Sequence, residues 1–217
     1  MIATLKLIDD IGVIEMNNGK VNAFSFELID ALNQCLDEAE AQAKALVLYG
    51  GEDKFCGGFD LGIIQGNDSA KRDELIRRGG ELIIRLYSFP KPLIIAADGH
   101  GVALGAIILM AGDYRFGAAN AKFGLNETAI GLTLPPWGLA LAQERLSTYC
   151  FNESVILAKI YDGHGAKTAG FLDTVAEQGT ILNAALAYAE TIKSLPSKTV
   201  SEVKRKTRSA TLAAMRA

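Results

Sequence analysis

The chain has 217 residues, 49% of them hydrophobic and 22% charged, which excludes a disordered or fibrous protein and allows roughly 70% of the unfolded surface to be buried around one core. Its 22 basic and 25 acidic residues give a net charge of -3 and lie scattered through both halves, so no general field draws in nucleic acid, and a polyanionic ligand needs a local basic rim. The three cysteines, Cys35, Cys56 and Cys150, are odd in number and far apart, which argues against a disulfide framework and for reduced thiols in the cytoplasm.

No basic and apolar leader opens the chain, because "MIATLKLIDD" already holds two aspartates. Within it, "ATLKLI" and the following "GVIEM" alternate as strands do around "DDI", which predicts a hairpin. After "NNGKVNAF", the residues Leu28, Ile29, Leu32, Cys35, Leu36 and Ala39 recur at helical spacing, with Ser25 at the N-cap position. "ALVLYGG" reads as a buried strand ending in two glycines. A second helix is expected from about Ser69 to Phe89, with Leu75, Ile76, Gly79, Leu82, Ile83 and Leu86 on one face and "FPKP" as its stop.

"LIIAA" is a second buried strand, followed by the turn "DGHG", a small-residue helix near Ala103 to Ala111, and a strand at "DYRFGAA". The region from Leu93 to Gly112 is the most apolar, yet Asp98, His100 and its glycines interrupt it, so no membrane span is expected. Beyond Gly138 the pattern is helical, and "VSEVKRKTR" is charged enough to lie on the surface. An α/β core with a helical C-terminal part is the simplest architecture.

Three stretches carry candidate chemistry. In "KFCGGFDL", Gly57 and Gly58 free the backbone so that the N–H of Phe59 can face a cleft; a plain tight turn is the competing reading. In "ADGHGVALGAIIL", a helix starting near Ala103 leaves its first amides unpaired, and Leu104 can donate there. The glycines of that stretch do not match a dinucleotide fingerprint. In "AKFGLNETAIGL", one carboxylate, Glu127, stands among Phe123, Leu125, Ile130 and Leu132, either as a buried catalytic acid or as a loop residue with its head in water. His100 and His164 lack metal-site spacing, His164 reading as a loop residue, so no metal is expected. No serine sits in a nucleophile turn, and Cys56 has no adjacent base.

"FCGGFDL", "KPLIIAADGHGVALG", "GDYRFGAANAKFGLNETAIGL" and "AKTAGFLDTV", in this order and spacing, resemble the crotonase superfamily of enoyl-CoA hydratases and isomerases over about residues 1 to 195. The resemblance implies a spiral of repeated ββα units over 1–195. A C-terminal helical segment over 196–217 would follow, shorter than in many relatives, in a homotrimer or a pair of trimers. It also implies an acyl-CoA thioester substrate with no further cofactor, nucleic acid or membrane partner. The thioester oxygen would lie between the N–H groups of Phe59 and Leu104.

Hydratases of that family use two glutamates. Here Ile107 stands at the first position and Glu127 at the second. Adding water needs a group to orient it, and isoleucine has no lone pair to offer. Shifting a double bond from the 3,4 to the 2,3 position needs one base, and "GLNETAIGLTLPPW" resembles the Δ3,Δ2-enoyl-CoA isomerases. The resemblance places CoA contacts at Val21, Ala23, Gly58 and Asp60, with Lys20 and Lys54 as candidate phosphate partners. Trp137 is a candidate wall of the acyl pocket, or a core residue. Two alternatives to an isomerase stay open: a hydratase whose water is held by Asn126, His100 or a backbone group, and a CoA-binding protein without chemistry.

Overall fold

The computed structural model describes residues 1–19 and 21–217. The hairpin forms from β1 (Ala3–Ile8) and β2 (Ile11–Met16). Asp9 and Asp10 between them both have positive φ, 47° and 66°, the pairing a two-residue turn needs to match the twist of its strands. In chain order the later strands are β3 (Ala45–Tyr49), β4 (Leu93–Ala97), β5 (Gly101–Val102), β6 (Tyr114–Ala118), β7 (Phe123–Gly124) and β8 (Thr174–Ala176). The helices are α1 (Phe26–Gln42), α2 (Leu61–Ile64), α3 (Ser69–Tyr87), α4 (Leu104–Ala111), α5 (Pro136–Arg145), α6 (Phe151–Val155), α7 (Gly163–Ala169), α8 (Ile181–Ile192), α9 (Ser197–Thr207) and α10 (Ser209–Met215).

A six-stranded sheet runs β1-β2-β3-β4-β6-β8, with every pair after the hairpin parallel. Every residue of β3 and β4 is buried, as a parallel sheet covered on both faces requires. A second ladder of one or two residues per turn runs beside it: Phe24 bridges Phe59, Cys56 bridges Gly101, β5 pairs with β7, and Phe123 bridges Tyr161. The turns that begin with β2, β3, β4 and β6 thus each add a long strand to the sheet and a short segment to this ladder. This is the expected spiral of ββα units, and its short ladder gathers residues 56–60, 101–104 and 123–127.

Local choices agree with this layout. Ser25 caps α1, its side chain accepting from the Leu28 N–H, and Leu28, Ile29, Leu32, Leu36 and Ala39 form the buried stripe. Asp68 caps α3, which ends at Tyr87, two residues before the expected stop. β8 was not expected: it is three residues long and half-buried, too short to alternate visibly. It is fixed by Arg115, whose guanidinium and backbone N–H both bond the Asp173 carboxylate at the head of β8. His164 lies in the first turn of α7 instead of a loop.

The charged C-terminal stretch also departs from expectation. Lys204 on α9 is buried, and its Nζ bonds the carbonyls of Phe89 and Lys91 at 2.8 and 2.7 Å and pairs with Asp113. Arg208 joins the same carboxylate and lies over the Tyr87 ring at 4.3 Å. Desolvation brings the Lys204 ammonium down to about 8 against the pull of Asp113. A helical period drawn over charged residues does not say which of them turns inward.

Candidate active site

Two tight turns face each other at the ladder. Gly58 has φ +111°, and a Cβ placed on it would lie 3.3 Å from the Ala103 Cβ. Ala103 itself has φ 54° and ψ -122°, a conformation costly for any residue with a side chain and one that clusters at functional sites. Each of these residues directly precedes a candidate donor. The Phe24 N–H bonds the Gly58 carbonyl at 2.9 Å and the Asp60 N–H bonds the Phe24 carbonyl at 3.0 Å, so the peptide N–H of Phe59 is left out of that bridge. The Gly58 N–H contacts the Cys56 sulfur at 3.4 Å.

On the other turn, the Ala103 N–H bonds the Gly124 carbonyl at 3.0 Å and the first intrahelical bond of α4 is Ile107 N–H to Ala103 carbonyl, 3.2 Å. The amides of Leu104, Gly105 and Ala106 precede it and carry the positive end of the α4 dipole. Gly105 lets α4 come this close: a Cβ there would stand 2.2 Å from the Cys56 carbonyl oxygen. At its other end α4 is held by Arg145, which donates to the carbonyls of Met110 and Gly112 at 3.0 and 2.9 Å. Cys56 is buried and desolvation pushes its thiol up to about 12, so it is a neutral packing group.

Phe59, Leu104, Ile107, Glu127, Trp137 and Gly58 all line one cavity of about 510 Å³, with Arg72, Ile76, Asn126 and Pro135 among its other walls. Glu127 is the single carboxylate in that lining. Its Oε2 is buried and has no hydrogen-bond partner, and desolvation raises its pKa above 4.5 against the smaller pull of its own and the Asn126 backbone N–H groups. The chain around it is fixed from the backbone, because the Glu127 carbonyl accepts from Ile130 and Leu132 at 3.0 and 2.9 Å. Phe123 and Leu125 are buried as expected, whereas Ile130 and Leu132 are half exposed and form the rim. Ile107 is buried on α4, so that wall presents hydrocarbon.

Val21, Ala23 and Asp60 line a separate, more open depression of about 480 Å³ with Ile2 and Asn18. Its loop is tied to the Phe59 turn, since the Gly57 N–H bonds the Val21 carbonyl at 2.9 Å. Asp60 also caps α2 through Gly62. Lys54 donates to the Gly19 carbonyl at 3.0 Å, and Lys20 lies outside the described residues. His100 is exposed, accepts from the Lys122 N–H through Nδ1 at 2.9 Å and stands outside the cavity lining, which removes it as a water holder there. Asn126 does line the cavity, and its Oδ1 is buried without a partner.

Reading the sequence missed Arg72, which lines the cavity from α3. It also missed Asn22, which has φ 48° and is fully buried, donating to the Gly50 and Phe55 carbonyls at 2.6 and 2.9 Å. Among the described residues no group of three His, Cys, Asp or Glu side chains gathers as a metal site, and no helix is long and apolar enough to cross a membrane.

The parallel spiral, the paired turns and the one carboxylate in the cavity lining define a class, and comparison identifies it. The enoyl-CoA hydratase/isomerase family profile matches residues 8–216, and the chain belongs to that family. A Bacillus subtilis (strain 168) protein named "Probable enoyl-CoA hydratase" is 32% identical over 127 residues, 56% of this chain and 48% of that protein. The chain thus matches about half the length of that curated relative. Among solved structures, the enoyl-CoA hydratase EchA3 of Mycobacterium ulcerans Agy99 superposes with a TM-score of 0.96 at 34% identity, covering 100% of this chain and 95% of that one. The enoyl-CoA isomerase of Mycobacterium tuberculosis gives 0.95 at 35%, covering 99% and 94%.

Proposed function

We propose that the protein is a Δ3,Δ2-enoyl-CoA isomerase in which Glu127 moves the proton alone. The observation that carries this reading is the composition of the cavity wall: one carboxylate, its Oε2 buried and without a partner, with a hydrocarbon side chain at Ile107 on α4. Glu127 takes a proton from C2 of a 3-enoyl thioester, the electron pair spreads into a dienolate, and the same carboxyl group returns the proton to C4. Net, one C–H bond breaks at C2, one forms at C4, and the double bond moves to the 2,3 position.

A thioester α-proton is too weakly acidic for a glutamate unless the developing oxyanion is stabilised. The N–H groups of Phe59 and Leu104 fill that role, each such donor being worth about 10² to 10³ in rate. The desolvation that raises the Glu127 pKa makes it the stronger base and the readier donor afterwards. In this reading Val21, Ala23, Gly58 and Asp60 contact the CoA portion, no cofactor is used beyond the CoA of the substrate, and the protein works in the cytoplasm with its three cysteines free. In this reading it also assembles as a homotrimer or a pair of trimers.

The test is conversion of 3-enoyl-CoA to 2-enoyl-CoA. Glu127→Gln should reduce turnover by at least about 10² while CoA thioester binding persists; turnover retained in that variant removes Glu127 from the role. One observation favours a second reading, a hydratase: the unpartnered Oδ1 of Asn126 beside Glu127 can hold a water. Formation of 3-hydroxybutyryl-CoA from crotonyl-CoA, lost in Asn126→Leu, would select it.

A further inference from the structure

Two adjacent glycines, Gly79 and Gly80, sit in the middle of α3, both buried. Glycine is the least favourable residue at such a position apart from proline, so their presence needs a reason outside the helix. Each stands against a different aromatic wall of the cavity. A Cβ on Gly79 would fall 2.4 Å from Cζ of Phe59, and a Cβ on Gly80 would fall 2.5 Å from Nε1 and 2.7 Å from Cδ1 of Trp137. No packed side chain tolerates such distances, so any side chain at either place pushes the ring away from α3.

For Trp137 there is little room to yield elsewhere. Its indole is buried, it follows Pro135 and Pro136 in the first turn of α5, and the next residue, Gly138, packs against Ile107 Cδ1 at 3.0 Å from a Cβ built there. The indole therefore lies between the α3 notch and the cavity it lines.

We infer that the Gly79–Gly80 notch is a specificity-determining element: by receding, α3 seats the Trp137 indole and the Phe59 ring out of the cavity and so sets the length of acyl chain that fits. This rests on the reading of the cavity as an acyl-CoA site but not on which reaction follows. The substrate class it assigns is an acyl-CoA thioester whose chain is long enough for its distal methylenes to run past the indole. With Gly80 filled, the indole moves into that path and only short chains remain.

The chain has one tryptophan, so its fluorescence reports events at Trp137. Binding of saturated butyryl-, octanoyl- and lauroyl-CoA, which cannot isomerise, is followed by that fluorescence and by calorimetry in wild type and G80A. G80A should weaken the two longer ligands by about tenfold or more, the scale of a lost methylene contact, and leave butyryl-CoA within about twofold. G80A/W137F, followed by calorimetry, should recover the longer chains. Equal weakening of all three ligands, no weakening, or no recovery in the double variant overturns the notch while leaving the isomerase reading untouched. Should wild type bind none of the three, the acyl-site reading fails and the inference falls with it. If G80A does not fold, W137F alone decides: tighter binding of lauroyl-CoA relative to butyryl-CoA supports the inference, and an unchanged ratio overturns it.

Discussion

The two walls of the cavity are built on different principles. One is backbone, the turns at Gly58 and Ala103 that carry the proposed donors Phe59 and Leu104 and whose positions follow from the ladder bridges at Phe24, Cys56 and Gly101. The other presents a single side-chain carboxylate on an irregular segment between β7 and α5. The first wall depends on backbone conformation and tolerates changes of side chain; the second depends on one side chain and on the dryness around it.

The largest effect expected from this contrast comes from a single methyl group. Gly58→Ala forces a side chain onto φ +111° and against Ala103 at 3.3 Å, so the turn must rotate and the Phe59 N–H with it. Isomerase kcat/KM should fall by about 10² to 10³, as for the loss of one oxyanion donor. Leu104→Met, by contrast, changes the side chain at the other donor at nearly constant volume and should leave kcat/KM within a few-fold. Comparable losses in both variants would show that the donor wall is sensitive to side chains after all.

The second wall makes a pH prediction of smaller size. Because desolvation raises the folded-state pKa of Glu127 above 4.5, its protonated form is the one that folding favours. Stability from this group is present below the unfolded pKa and is lost as pH rises through the folded value. Glu127→Gln should therefore raise the melting temperature at pH 7, and the gain should shrink as pH drops toward 4.5. Activity runs the opposite way, since only the carboxylate abstracts a proton: kcat/KM should rise with pH through an apparent pKa above 4.5. A variant less stable than wild type at pH 7 would place the carboxylate in a polar, satisfied setting.

What the sequence revealed follows the same division. The hairpin, α1, α3 and the central strands were legible because period and caps are local, as at Ser25 and "FPKP". The donor turns were visible as glycine punctuation, yet their convergence was not, because bridges such as Cys56 to Gly101 span 45 residues. Ala103 gave no signal, since alanine ordinarily avoids the conformation it holds. The inward turn of Lys204 depends on carbonyls more than 110 positions away. Gly79 did carry a signal: it was counted in an apolar stripe, when two glycines inside a helix ask what lies against them.

The smallest expected effect tests whether the donor wall is set locally. Asp162 caps α7, accepting from Gly165 N–H at 2.7 Å, immediately after Tyr161, whose bridge to Phe123 is the last rung of the short ladder. Asp162→Ala should lower folding stability by about 1 kcal/mol, as for the loss of a helix cap, measured by urea unfolding. The donor turns are fixed by earlier rungs, at Phe24, Cys56 and Gly101, so kcat should not change. A fall in kcat with full occupancy of substrate would mean that the ladder transmits strain from its far end to Leu104, through the Ala103 N–H bond to Gly124. The backbone wall would then be a property of the whole spiral instead of two turns.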